Sequence, residues 1–293
     1  MARFFDQQLT KPLPVDRQLF SYGMGAIAVL LTGLALLPLL SILFEILRQG
    51  LPNLKWEVLT NLPAPVGETG VIGGFANAIQ GTVLMVGLAT FMSVPFGILT
   101  AIYLSEIGRE SIVAQVVRFV MSILSAVPSI VVGVFAYAVI VLSTFFGYRG
   151  FSAFAGSFAL AIIMLPIITL STEEALKLVP NQQRLASAAL GANSVQTIFK
   201  IVLKSALPSI TTGILLAVAR VSGETAPLLF TALFSQDWVT QVLNPTPSLS
   251  VMIYNYASSA FPEQNQLAWS ASVVLLGIVI ITNLLSRLIT RKR

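Results

Sequence analysis

Residues 79–104 read IQGTVLMVGLATFMSVPFGILTAIYL, a run without one charged side chain. About 20 apolar residues are enough to carry a helix across the hydrocarbon of a bilayer. Inside lipid every backbone amide has to find its partner within its own segment or in a closed barrel. The ten-residue alternation of a barrel strand is absent here, so the run reads as a membrane helix. Working outward, comparable runs lie at 19–47, 112–146, 151–170, 210–233 and 268–289, which predicts an all-α integral membrane protein of about six transmembrane helices. The composition agrees: 56% of the 293 residues are hydrophobic and 10% charged, against roughly 45–50% and about 25% in an ordinary soluble domain.

The charge of the chain, formally +5 with a pI near 9.7, is spread over short loops and the two ends. It forms no single basic patch, so nucleic acid is not an expected partner. It reports orientation instead, because cytoplasmic loops carry the excess of Lys and Arg. With the N-terminus inside, the inner segments hold Arg3, Lys11, Arg17, Arg109, Arg118, Lys177, Arg184, Lys200, Lys204, Arg287, Arg291, Lys292 and Arg293, and the outer ones only Arg48, Lys55 and Arg149. Both termini are therefore expected in the cytoplasm. The first apolar run exceeds the 7–15 residues of a signal-peptide core and reads as an uncleaved start-transfer helix. The expected organisation is a cytoplasmic segment at 1–18, a first helix at 19–47 and an external loop at 48–78. A core of five helices at 79–289 follows, with a cytoplasmic loop at 171–208, and then a basic tail at 290–293. The chain has no Cys and no His, which removes disulfides, thiolate chemistry and the commonest metal ligand.

The stretch from Ser171 to Pro208 is too polar to span. Pro180 and Asn181 open a helix, and Gly191 and Asn193, both tolerant of a left-handed backbone, are expected to divide it from a second helix over Val195 to Leu203. Two readings fit the residues. The short helix is a handle that a partner pushes, or it is an amphipathic segment resting on lipid and anchored by Arg184, Lys200 and Lys204.

The fifth run contains ARVSGETAPLLFTAL, residues 219–233, with Arg220 and Glu224 inside apolar sequence. An intramembrane charge costs roughly 2.5–3.5 kcal/mol on insertion scales, so something has to compensate. Four residues apart on a helix, the two charges would share one face and neutralise each other. Again two readings fit: a pair that exchanges partners with a passing anion, with Gly223 allowing close approach and Pro227 freeing carbonyls, or an ion pair that locks two helices. Pro38, Pro95, Pro128 and Pro166 also fall within spans and are expected to kink them.

The run at 219–233 resembles a hallmark of the PstA-type permeases of phosphate ABC transporters. Pro128–Gly133, Glu174–Pro180 and Gln266–Trp269 support the likeness, which covers Gly81 to the C-terminus. The stretch LASAALG at 185–191, with Ile201–Leu203 and Ala206–Pro208, is similar to the cytoplasmic coupling loop of binding-protein-dependent ABC permeases. It departs from their pattern at Leu185, Ser187 and Lys204.

The resemblance implies a MetI-like type I importer architecture in a prokaryotic inner membrane. It implies a PstC-type permease as the other half of the pathway, two PstB-type ATPases and a PstS-type phosphate-binding protein. Leu185, Ala186, Ser187, Ala189 and Gly191 would face the ATPase, and Arg220, Gly223 and Glu224 would line the path of phosphate. The chain has no GxxxxGK[ST] phosphate loop of its own, so ATP and Mg are expected on the partner ATPase and no cofactor on this chain. Two alternatives remain: another oxyanion such as sulfate, or a secondary anion carrier, although the latter usually shows two related halves and none is visible.

Overall fold

The computed structural model describes residues 14–65, 73–143 and 150–291, and every regular element among them is helical. Most of the expected N-terminal segment, residues 1–13, lies outside the described residues. So do positions 144–146 of the third apolar run, Arg149, and Lys292 and Arg293 of the tail.

The chain divides into two compact units, Met1–Arg48 and Gln49–Arg293. The first is dominated by helix α1, Val15–Gly50, which carries Asp16 in its first turn, where the helix dipole favours an anion, and runs through Pro38 without stopping. Its Thr32 hydroxyl donates to the Ala28 carbonyl, the usual way a polar side chain is satisfied in lipid.

In the second unit, α2 (Trp56–Thr60) lies in the expected external loop and is tied to the start of the next helix by Phe75 N–H donating to Val58 O at 2.9 Å. Helix α3, Ala76–Ile102, continues through a π turn at Tyr103–Ile107. Helix α4 (Ile112–Ala126) and helix α5 (Ser129–Ala136, with a π turn at Tyr137–Val141) meet at an angle of 103°. Helix α6 is Ala153–Lys177, and α7 is the short helix Asn181–Ala189. Helix α8 runs from Ser194 to Val221 through a π turn at Thr197–Val202. Helices α9 (Ala226–Thr231), α10 (Leu249–Ala257) and α11 (Pro262–Arg291) complete the chain. Among the described residues five helices are long and apolar enough to cross a membrane, and the bent α4–α5 pair makes a sixth crossing if it counts as one.

Three of the expected spans change outline. The third is broken at Val127–Pro128. The fourth extends to Lys177, where the expected run stopped at 170. The fifth starts at Ser194 and ends at Val221, so much of what read as a cytoplasmic loop is the base of a span, and 222–233 is not part of that helix.

Packing explains why small residues are scattered along α3, α6 and α8. Helices in lipid gain little from apolar contact alone and associate where small side chains let backbones approach. A Cβ at Gly97 would lie 2.7 Å from Ile168, one at Gly156 2.7 Å from the Met85 sulfur, and one at Gly213 on the Ser171 hydroxyl. Around these contacts Met85, Leu160, Met164, Ile168, Val221 and Leu228 form the main core, and Ala101, Ile102, Leu176, Val202 and Ile210 a second one at the end of the bundle that carries α7.

The segment 232–248 is laced to the bundle. Asn77 donates to the carbonyls of Ser235 and Asp237, Thr82 Oγ1 accepts from Leu249 N–H, and Thr246 N–H donates to Ala232 O. Tyr256 is buried and stacks edge-on against Phe234 at 5.8 Å.

Gly81 is the tightest of the helix approaches: a Cβ there would sit 1.9 Å from the Pro247 carbonyl oxygen, whereas nothing lies within 4 Å of one at Gly87. Overpacking of this kind costs about 1–3 kcal/mol. Gly81→Ala is expected to lower the melting temperature of the detergent-purified protein by several degrees, and Gly87→Ala to leave it unchanged.

Candidate functional site: a cavity between two helix breaks and a helical hairpin

Pro128 has no N–H and forces Val127 out of the helical region, so α4 stops at Ala126 and Val127 and Pro128 are both extended (ψ 131° and 135°). Helix α5 then starts at Ser129. In α8 the helix closes at Val221: Ser222 Oγ returns to the Val218 carbonyl at 2.7 Å, Gly223 N–H bonds Arg220 O, and Glu224 N–H bonds Val221 O. Helix α9 follows with Pro227 in its first turn. The two restarted helices cross closely, since a Cβ at Gly133 would lie 2.6 Å from Pro227 Cα.

Between the breaks is a cavity of about 250 Å³, lined by residues 124–129, Ile163, Ile167, Arg220 and Glu224. That is about eight times the roughly 30 Å³ a water occupies in the liquid. The walls are apolar apart from Ser125, Ser129 and the two charges, and the first amides of α5 have no partner within their own helix.

The structure brings Arg220 and Glu224 to one cavity but not to one helix face. Because α8 ends at Val221, Arg220 sits in its last turn and Glu224 in the break beyond. No ion pair joins them, and neither side chain has a hydrogen-bond partner among the described residues. The Glu224 carbonyl is held by Ser250 Oγ at 2.8 Å. The expected neutralised pair is therefore corrected: the helix that would have set the spacing of four ends between its members. Pro227, expected to free carbonyls inside a span, occupies a first turn, where no amide is needed. Gly223 is exposed, and among the described residues a Cβ there would meet only Arg220 O, at 3.8 Å, so none of the described helices approaches it closely.

The hairpin of α7 and the start of α8 forms as its residues dictate. Pro180 precedes α7, and Gly191 reverses the chain at φ +81°. Asn193 differs from expectation. It is extended, and its side chain caps Gln196 N–H at 2.8 Å while Gln196 returns to Asn193 N–H at 3.1 Å, a complete capping box. Leu185, Ala186, Ala189 and Gly191 are exposed, with Leu190 at 90%, and a groove of about 520 Å³ runs beside Ala186, Leu190, Gly191 and Lys200. Ser187 lines the same groove but is only 7% exposed, and its hydroxyl bonds Thr197 at 2.9 Å, which holds the hairpin closed.

Sequence reasoning missed the carboxylates at this end of the bundle. Glu173, 3% exposed, pairs with Arg118 at 2.8 Å and Lys177 at 2.6 Å, and Arg118 also donates to Leu104 O. Glu106 pairs with Arg184 at 2.6 Å. Arg118 and Arg184 read only as orientation signals or lipid anchors, although the spacing of Glu173 and Lys177 on one helix was a visible cue.

A family model described as "Binding-protein-dependent transport system inner membrane component" matches residues 93–293. The chain is 42% identical to the phosphate transport system permease protein PstA of Yersinia pestis over 87% of this chain and 84% of that one. It is 36% identical to the probable PstA protein of Methanocaldococcus jannaschii over 90% of each. Among solved structures, it aligns over 94% of its length, and 96% of the other chain, with a bacterial alginate ABC transporter (TM-score 0.64, 17% identity). It aligns over 74%, and 95% of the other chain, with the MetNI methionine ABC transporter (TM-score 0.60, 18% identity). At those identities the likeness is one of fold.

The capping box orders the hairpin without touching the spans. Asn193→Ala is expected to cost about 1 kcal/mol locally, read as several-fold faster amide hydrogen exchange across 181–197 with the rates in α3 and α6 unchanged.

Proposed function

The chain belongs to the binding-protein-dependent transport system inner membrane components, and within them to the PstA phosphate transport permeases, and from that premise we propose how it works as the permease subunit of an ATP-driven importer of inorganic phosphate. It is an all-helical, multi-pass subunit of the type I importer fold. In this reading both termini are cytoplasmic, a PstC-type permease supplies the other half of the pathway and a PstS-type protein delivers phosphate from outside. Two PstB-type ATPases, which carry the ATP and Mg, drive the cycle; this chain contributes no catalytic group and no cofactor.

The observation that carries the proposal is the cavity at Arg220. A guanidinium without a carboxylate partner, set at the junction of two helix breaks, offers a forked pair of donors to an oxyanion. Glu224, in the same cavity but off that helix, repels the anion as it advances and keeps it from settling against Arg220. Ser129, which lines the cavity, adds a neutral donor. The small-residue contacts and short half-helices around the cavity are of the kind that shift in alternating access. Charge alone does not separate phosphate from sulfate. A site that accepts a hydrogen bond from the substrate favours phosphate, which keeps an O–H that sulfate lacks, and the likeness to PstA proteins supports that choice.

On the cytoplasmic side, the exposed face of α7 and the following turn, with Leu185, Ala186, Ala189, Leu190 and Gly191, form the docking surface for the ATPase. Ser187 serves from within by fixing the shape of the hairpin.

Arg220→Gln is expected to lower phosphate uptake by proteoliposomes at least a hundredfold, about 2.7 kcal/mol or more, while the four kinds of subunit still co-purify. If uptake persists, the cavity is not the pathway. Ala189→Glu, which places a charge on the apolar docking face, is expected to leave uptake near zero while any remaining ATP hydrolysis no longer responds to the phosphate-binding protein.

A further inference from the structure

Helix α7 is held from two sides. On one side its bonds stay within its own hairpin: Ser205 Oγ donates to Gln183 Oε1 at 2.9 Å, and Ser187 meets Thr197 at 2.9 Å, both partners lying on α8. On the other side, among the described residues, Arg184 alone carries the side-chain bonds from α7 to other spans. Its guanidinium grips Glu106 with two donors, Nη2 to Oε1 at 2.6 Å and Nε to Oε2 at 3.1 Å, across 78 residues of sequence. It also donates to the carbonyls of Leu176, at 3.0 Å, and Val179, at the end of α6. One side chain therefore joins the docking helix to the inner ends of α3 and α6.

The location of Glu106 gives this grip a consequence. It lies in the π turn Tyr103–Ile107, which closes with Gly108 N–H donating to Tyr103 O at 2.8 Å. A π turn holds one residue more than the α-helix around it and marks places where a helix changes register. A bidentate Arg–carboxylate pair is fixed in direction as well as distance, so it transmits displacement where a single contact would swivel. The neighbouring Glu173 cluster is different: it links α4 and α6 to one deeply buried carboxylate and does not involve α7.

We propose that Arg184 and Glu106 are positioning residues for transport, forming a strut through which displacement of α7 reaches the π turn of α3. The proposal rests on the reading that α7 docks the ATPase. Motion entering at α7 then acts on two spans at once: on α8, whose far end carries Arg220, and on α3, which packs against α6 beneath the cavity residues Ile163 and Ile167. With the strut cut, α7 loses its side-chain link to α3.

The test is a double-mutant cycle on the assembled complex in proteoliposomes, reading phosphate taken up per ATP hydrolysed. Glu106→Gln and Arg184→Gln are each expected to lower that ratio about tenfold, with the subunits still co-eluting. The double variant is expected to be no worse than either single, as for two residues acting as one unit. Unchanged coupling in the single variants overturns the strut, and so does a roughly hundredfold additive loss in the double. Loss of the ATPase or of the partner permease on gel filtration also overturns it, because the pair is then a structural lock. A wild-type complex that takes up phosphate without hydrolysing ATP overturns the functional reading and the strut with it, whereas a coupled wild type with coupled variants overturns the strut alone.

Discussion

A peptide group in hydrocarbon has no water to bond, and the architecture follows from that constraint. Hydroxyls along the spans return to their own helix, as Thr82 does to Ala78 and Thr90 to Val86, and prolines at 38, 95 and 166 are absorbed without a stop. Where the chain does leave the helix within the bundle, at 127–128 and at 222–225, both interruptions border one cavity. Irregular backbone at membrane depth is tolerated where protein or a wet space covers it. Gly133 against Pro227 keeps the two restarted helices together, so the breaks are held in a defined geometry.

The treatment of charge separates the two ends of the bundle. At the end that carries α7 the two well-shielded carboxylates are matched: Glu173 with Arg118 and Lys177, Glu106 with Arg184. Breaking such buried pairs leaves a lone charge in a poor solvent, which makes them rigid joints. At the cavity Arg220 and Glu224 are left apart. A cation already neutralised would have little to offer an oxyanion, so the separation produced by the end of α8 is what makes the guanidinium available.

Much of this was legible in the amino-acid sequence. The run at 79–104 and its fellows carried the helical, membrane-spanning class, because length and apolarity alone decide it. Arg220 and Glu224 stood out against an apolar background, and Gly191 announced a left-handed turn. The rest depended on where helices stop. Apolar composition continues through Val127 and through 222–233, so hydropathy could not see either break, and the pair was read as one helix turn apart. Pro128 looked like Pro38, Pro95 and Pro166, which their helices run through without a stop; what distinguishes it is the cavity beside it. Ser187 sits within an exposed motif yet turns inward to Thr197, and Arg184 and Arg118 looked like surface charges because their partners, Glu106 and Glu173, are distant in sequence. Asn193 was recognised as a helix boundary, but it acts as a cap and keeps an extended backbone.

The central claim is that the Arg220 guanidinium meets the transported anion directly. The most direct measurement is the dipolar coupling between phosphorus of bound phosphate and the guanidinium nitrogens of Arg220, assigned by loss of the signal in Arg220→Lys, in the assembled complex in lipid. The account predicts a coupling that corresponds to direct hydrogen bonding, a heavy-atom contact of about 2.7–2.9 Å from nitrogen to phosphate oxygen. Phosphate held in the complex with no coupling to Arg220, or Arg220 found bonded to a carboxylate throughout, would contradict it.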